Sequence, residues 1–306
     1  SYWSARGGGG AYIEWETWGL DYTFGGCNSL ASGACQCAMP RDFVSTTSVG
    51  FNCCVDMDNV DRWVGVVDNA ELDGKRRDDT ERVFVLWGSQ PHSSKAAHGG
   101  HGLVDARSNL GVKSVVVDPY LTAEAAKADV WLPVRPGSDC ALMLSWIRYI
   151  IDQKAYDEPF VKYWTNLPFL INPDTRLAYR AEEVWPDYVN PAADPDDVYD
   201  TPAYVCFDAR TNTIQPFPFT APGDSPVDPV VFATATVNGK EAKTAGQIYW
   251  EEAEPWTLEA AAETCWLKPE KIQEAIELYI NADFGGISNG VFSDHQENSS
   301  TAPLGA

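Results

Sequence analysis

Three short stretches hold the groups in this chain best suited to grip a ligand: Trp87-Gly88-Ser89-Gln90, Asp118-Pro119-Tyr120-Leu121-Thr122 and Arg135-Pro136-Gly137-Ser138-Asp139. The first offers a flat aromatic ring, a glycine that lets a ligand approach the main chain, and a hydroxyl. The second offers a carboxylate able to accept from a ring N–H or a sugar hydroxyl. The third opens a helix, whose free backbone N–H groups suit a phosphate, and Asp139 beside them suits a guanine edge with its two donors. Each stretch also has a plain structural reading, since Ser138-Asp139 is an ordinary helix start and Asp-Pro an ordinary turn. In this order and at this spacing they describe a nucleotide-shaped cradle without the usual dinucleotide glycines.

The elements that would position these loops follow a regular rhythm. Short β-branched runs (Val83 to Leu86, Val115 to Val117, Val130 to Val134) alternate with helix-like segments, and each run ends in one of the three loops. That pattern predicts an α/β fold with a parallel, Rossmann-like sheet flanked by helices, with ligands at the carboxyl ends of the strands. A short helix is expected over Thr122 to Lys127, and a buried one over Asp139 to Asp152, which is apolar on several faces. Helices are also expected at Thr257 to Thr264 and Pro269 to Asn281, the latter with Pro at its first position. Residues 172–246 are rich in Pro and Asp and lack helical periodicity. They read as an irregular insertion with short β elements (Tyr204 to Phe207, Val230 to Val237) and a turn at Asn238-Gly239.

The remaining reactive residues are scattered. Five of the eight cysteines lie between Cys27 and Cys54, too sparse for a disulfide scaffold, and no C-x-x-C pair suggests zinc or thioredoxin chemistry. His92, His98 and His101 follow the Trp-Gly turn and fit a polar loop better than a zinc site. Gly7 to Gly10 precede a short apolar run instead of following one, so they do not form a dinucleotide fingerprint. Formal net charge is −22, from 44 acidic against 22 basic residues, which disfavours nucleic acid or an anionic membrane as partner. No apolar run reaches the ~18 residues of a membrane span. The chain opens with SYWSARGGGG and closes with STAPLGA, and 285–306 reads as the start of a further strand and helix. A fragment is therefore expected, and its compartment, bacterial cytoplasm or exported, is left open.

The order VLWGSQP, then VVVDPYLTAEAAKADVWLPVRPGSDCAL, resembles the molybdopterin oxidoreductases of the dimethyl sulfoxide reductase family. The resemblance runs on through IIDQKAYDEPFVKYWTNLPFLI, LKPEKIQEAIELYI and GGISNGVFSDHQENSSTAPLGA. NLPFLINPDTRLAYRAEEV and SDHQENSS are similar to the branch with acetylene hydratase and the catechol dehydroxylases. It implies a molybdenum or tungsten bis-molybdopterin guanine dinucleotide oxidoreductase, in which residues 31–280 bind one dinucleotide. Residues 1–30 and 281–306 would then be edges of a neighbouring α/β domain.

By this resemblance the cofactor-binding residues are Trp87, Gly88, Ser89, Gln90, Asp118, Pro119, Thr122, Arg135, Gly137, Ser138, Asp139, Asn289 and Gly290. The segment CQCAMPR is similar to a C-Y-L-P-R stretch of related enzymes, which makes Cys37 the expected metal ligand, with Cys35 and Cys27 as competitors. A thiolate is a soft ligand suited to such a metal. His295, flanked by Asp294 and Glu297, is a candidate proton carrier near the metal or an ordinary surface histidine. The chain departs from the family where Gln90 replaces Asn, Ser138 replaces Thr and Tyr120 replaces Arg, the last removing a cation. The resemblance further implies a small-molecule substrate, allows an electron-transfer subunit, and places any [4Fe–4S] cluster in an amino-terminal part absent from this sequence. Alone, the chain is expected to be inactive. Two other classes compete with this reading: a nicotinamide-dependent Rossmann dehydrogenase and a non-enzymatic aromatic-rich glycan-binding module.

Overall fold

The computed structural model describes residues 71–72, 75–76, 81–90, 103–104, 106–108, 111–191, 202–218 and 223–289. The chain divides into two compact units, Ser1–Ile147 with Trp256–Ala306, and Arg148–Pro255.

The first unit contains a small antiparallel pair, β1 (Glu71–Leu72) and β2 (Lys75–Arg76), and the expected parallel sheet. That sheet is built from β3 (Arg82–Trp87), β4 (Lys113–Val117), β5 (Val130–Leu132) and, from the far end of the sequence, a strand over Phe284–Asn289. All three pairings are parallel, and β3 lies between β4 and the Phe284–Asn289 strand. Every residue of β3 is buried, as befits a strand with neighbours on both edges and cover on both faces.

The two faces divide by residue parity, because side chains alternate along a strand. Phe84, Leu86 and Val116 face one layer, packing with Leu103 and Ala106, both helical, and with Ala125. On the opposite face Trp87 meets Trp146 of α1 (Asp139–Asp152), a helix whose bounds match the sequence expectation residue for residue. Leu142 and Trp146 are its buried anchors in this unit.

The second unit begins within α1, at Arg148. It contains α2 (Glu158–Trp164), β6 (Leu170–Ile171), α3 (Ala181–Val184), the hairpin β7 (Tyr204–Asp208) and β8 (Thr213–Phe217), and the hairpin β9 (Thr234–Val237) and β10 (Lys240–Thr244). The β9–β10 turn is Asn238-Gly239, with φ of 51° and 75°. Both central residues are left-handed there, which is why Asn-Gly is the favoured pair for a two-residue hairpin turn. Helix α4 (Ala245–Ala253) follows directly, capped by the Thr244 hydroxyl, which accepts from the Gln247 N–H at 3.2 Å. Phe169 stacks on Tyr204 at 4.5 Å and packs with Cys206 and Phe217 in a core. Burial pushes the Cys206 thiol up to about 12, aided by the nearby Asp208 charge, so it is an inert core group.

Back in the first unit, α5 (Leu258–Cys265) starts at Thr257, whose hydroxyl accepts from the Ala260 N–H at 3.1 Å. Helix α6 (Pro269–Ile280) lies against β3, β4 and β5, burying Ile272 and Ile276. The chain then enters β11 (Phe284–Asn289) on the free side of β3. Gly285 is required there, because a Cβ would stand 2.8 Å from the Tyr279 ring of α6. The expected short helix at Thr122 to Lys127 is realised as a turn followed by one 3-10 turn, Ala125–Lys127.

Candidate functional site

The strand ends form one row. Asn289 is paired with Trp87, Trp87 with Val117, and Val117 with Leu132, so all four strands stop at the same carboxyl edge. With neighbouring strands about 4.8 Å apart, the row spans about 14 Å, the scale of a nucleotide. The sequence order matters as well. From β3 the sheet grows outward through β4 and β5, and the chain then returns to place β11 on the other side of β3. The order in which strands are added thus reverses between β3 and β11, and that switch point at the carboxyl edge is where open α/β sheets leave a crevice for ligands. All three sequence-predicted loops leave this edge.

Gly88 continues the ladder, donating its N–H to Val117 O at 2.8 Å, and turns with φ 57°, a conformation that favours glycine. Ser89 is half-buried and Gln90 exposed beside it. Trp87 differs from the sequence expectation. It does not offer a ring face to a ligand, because it is only 2% exposed and meets Trp146 edge-on at 5.8 Å. Its indole Nε1–H donates to Asp139 Oδ1 at 2.7 Å, a bond between the first and third loops.

Asp118 stands half-buried at the end of β4. Its N–H donates to Leu132 O at 3.2 Å, and its Oδ1 accepts from the Tyr120 N–H at 2.8 Å. Burial raises its pKa, the Tyr120 N–H lowers it, and the nearby Glu124 charge raises it, with a net upward shift. Pro119 and Tyr120 are exposed beyond it. Tyr120 is 77% exposed and presents an uncharged ring to solvent. The Thr122 hydroxyl accepts from the Ala125 N–H at 3.0 Å and is therefore occupied in starting the 3-10 turn.

The third loop is a tight turn. Ser138 N donates to Arg135 O at 3.2 Å across Pro136 and Gly137, and Gly137 has φ 82°. Pro followed by a left-handed Gly is the type II arrangement. The Ser138 hydroxyl, expected to face a ligand, is buried and donates to Arg135 O at 2.7 Å, because the turn leaves that carbonyl within its reach. Sequence reasoning missed what anchors this turn, namely the end of α5. Arg135 N donates to Cys265 O at 3.0 Å, and the buried Cys265 thiol donates to Ser138 O at 3.4 Å. The Arg135 guanidinium lies 5.0 Å over the Trp266 ring. Trp266 adopts φ 60° at the helix end, where Gly is usual, and remains 72% exposed.

Of the other sequence-predicted residues, Asn289 ends β11 at the rim, paired with Trp87. Cys37, His295 and Gly290 lie outside the described residues, as do Cys27, Cys35, His92, His98 and His101. Among the described residues no group of three or more His, Cys, Asp or Glu side chains is placed to hold a metal ion, and no helix is long and apolar enough to cross a membrane. The second unit has its own cleft of about 510 Å³, lined by residues including Trp185, Asp187, Tyr188 and Gln215, none of them a predicted site residue.

No protein-family model matches the chain. Curated relatives do. A putative catalytic chain of dimethyl sulfoxide reductase from Halobacterium salinarum is 31% identical over 205 residues, 67% of this chain and 23% of the relative. Dopamine dehydroxylase of Eggerthella lenta is 41% identical over 93 residues, 30% of this chain and 9% of the relative. Acetylene hydratase of Syntrophotalea acetylenica is 48% identical over 78 residues, 26% of this chain and 9% of the relative. A solved acetylene hydratase from Pelobacter acetylenicus overlays with a TM-score of 0.41 at 17% identity, covering 88% of this chain and 27% of that one. The chain spans about a quarter or less of the length of the curated relatives it matches. Over the segment they share, the chain belongs to the dimethyl sulfoxide reductase family of molybdopterin enzymes.

Proposed function

We propose that this chain cradles the guanosine end of one pterin dinucleotide in a molybdenum or tungsten oxidoreductase carrying bis-molybdopterin guanine dinucleotide. The observation that carries the reading is the alignment of all four parallel strand ends beside a switch point, with Gly88, Asp118 and Asp139 in the loops leaving that edge. The residues fit the guanosine end of such a group. Asp118 can accept from a sugar hydroxyl or ring N–H, Asp139 can accept from the paired donors of guanine, and Gly88 leaves the backbone open to close approach. The fit to phosphates is narrower, because the Ser138 hydroxyl is taken and Tyr120 brings no charge. It rests on the first backbone N–H groups of α1 and on Arg135.

When bound, the metal-dithiolene group supplies redox or oxygen-atom or hydroxyl transfer to a small substrate, while the protein binds, orients and sets the electrostatics. In this reading Cys37 is the metal ligand and His295 the nearby proton carrier. A catechol dehydroxylase-like reductase is the finer form of the proposal, supported by the dopamine dehydroxylase match. A [4Fe–4S] cluster and an electron-transfer subunit belong to other parts of such an assembly.

A nicotinamide dehydrogenase would share the parallel sheet but needs a glycine fingerprint after β3, where only Gly88 stands. A glycan-binding module gives no reason for the aligned strand ends. Metal and guanine analysis of the purified full-length protein separates the three. Roughly one molybdenum or tungsten and two guanines per chain is the expected result for a two-dinucleotide cofactor. Absence of both components would sink the proposal.

A further inference from the structure

Trp87 and Asp139 lie 52 residues apart in sequence, yet the indole N–H of one donates to the carboxylate of the other at 2.7 Å in a buried setting. The bond solves a mechanical problem. The terminal torsion of an aspartate is soft and roughly two-fold, so a lone carboxylate at a rim presents its acceptor directions poorly. A buried indole, by contrast, is rigid. Trp87 is 2% exposed, meets Trp146 at 65° between ring planes, and sits on the last residue of a strand paired on both edges. Asp139 is held at its backbone too, one residue after the turn that α5 anchors.

A carboxylate offers about four acceptor directions, and the indole uses one. Among the described residues Oδ2 makes no hydrogen bond. Asp139 therefore keeps acceptor capacity in a fixed plane. Guanine presents two adjacent donors, N1–H and the exocyclic N2–H, which match a planar carboxylate. Adenine presents an acceptor at N1 and is refused by the same plane.

We infer that Trp87 is a positioning residue for base selection, setting the carboxylate plane of Asp139 so that the crevice takes a guanine nucleotide over an adenine one. This rests on the guanosine reading above and assigns the Trp a role other than stacking on the base. The ring contributes through its N–H, so an isosteric ring without that N–H should lose selectivity while keeping the packing.

The test is calorimetric titration of GDP, IDP and ADP against the full-length protein freed of its cofactor. One variant carries benzothienylalanine at position 87, which has sulfur in place of the indole N–H; Trp87→Phe is the second, with circular dichroism checking its fold. The wild type should prefer GDP to ADP, with IDP between them because it lacks the N2 donors. Removing the indole N–H should cut the GDP-over-ADP preference about tenfold, the scale of one hydrogen bond to a charged group, with ADP affinity unchanged. In an Asp139→Asn background the same replacement should have no further effect on the preference. An unchanged preference, or equal loss of GDP and ADP affinity, overturns the positioning role and leaves the guanosine reading standing. A wild type that does not distinguish the three nucleotides overturns both.

Discussion

Asp118 and Asp208 both stand at strand ends and both turn a carboxylate back toward the following backbone, yet their surroundings have opposite effects. Asp208, at the end of β7, is 1% exposed and accepts from Asp228 N at 2.7 Å, Thr211 Oγ1 at 2.8 Å, Thr211 N at 3.2 Å and Arg210 N at 3.3 Å. Burial alone would raise its pKa, but these donors outweigh it and hold the carboxyl below the ordinary aspartate value. Asp118 is half-buried, has the single N–H of Tyr120, and feels Glu124, so its pKa is raised. The count of donors makes the difference. A carboxylate whose acceptor directions are filled by its own chain is a structural knot, and one left under-supplied at a rim is available to a ligand.

The largest effect that should sharpen this contrast is on stability. Asp208→Ala leaves backbone N–H groups of Asp228, Arg210 and Thr211 without their acceptor, and should cost about 3 kcal/mol in urea unfolding. A change below about 0.5 kcal/mol would refute the knot, since that is the scale of ordinary surface substitutions. The pH dependence has a definite sign. Because the folded pKa is depressed, the Asp208 contribution is fully present above the ordinary aspartate value and is lost as pH falls through the folded one. Asp208→Asn should therefore flatten the acid side of the stability curve.

Asp118→Asn should behave in the opposite way. With a raised folded pKa, ionised Asp118 weakens the fold as pH rises from the ordinary aspartate value through the folded one, and stability stays lower above that window. The amide removes this slope and should leave the fold as stable or slightly more so at neutral pH, while weakening GDP binding about tenfold. Lost stability together with unchanged GDP affinity would place Asp118 with Asp208 among the structural turns. The smallest effect is expected at Trp266→Ala, which frees Arg135 from its stacking contact. Because the pair is exposed, GDP affinity should fall by no more than about threefold. A larger loss would mean that Trp266 itself touches the nucleotide.

Much of the crevice could be read from the sequence because its determinants are local. Asp139–Asp152 has a clear start after Gly137-Ser138 and an apolar body, and the β-branched runs gave three of the four parallel strands. Asn238-Gly239 likewise announces its hairpin, since the turn needs two left-handed residues. What escaped is tertiary or short. Helix Glu158–Trp164 carries both Asp157 as cap and a Pro in its first turn, but seven residues give periodicity too little length to register. The Trp87–Asp139 bond and the α5 anchor of the Arg135 turn join residues 52 and more than 120 positions apart, which no spacing rule connects. They redirect the chemistry of residues that were individually well chosen. The Trp became a donor to Asp139, and the Ser138 hydroxyl became part of a turn.

The central claim is that the ligand lies along the carboxyl edge beside β3 and β11. Hydrogen exchange with and without GDP on the full-length protein freed of its cofactor tests it most directly. Exchange should slow at Gly88, at Asp118 and Tyr120, and at the first residues of α1, with the Asp208 turn unchanged. Protection confined to Arg148–Pro255, or none at any of the three loops at saturating GDP, would contradict it.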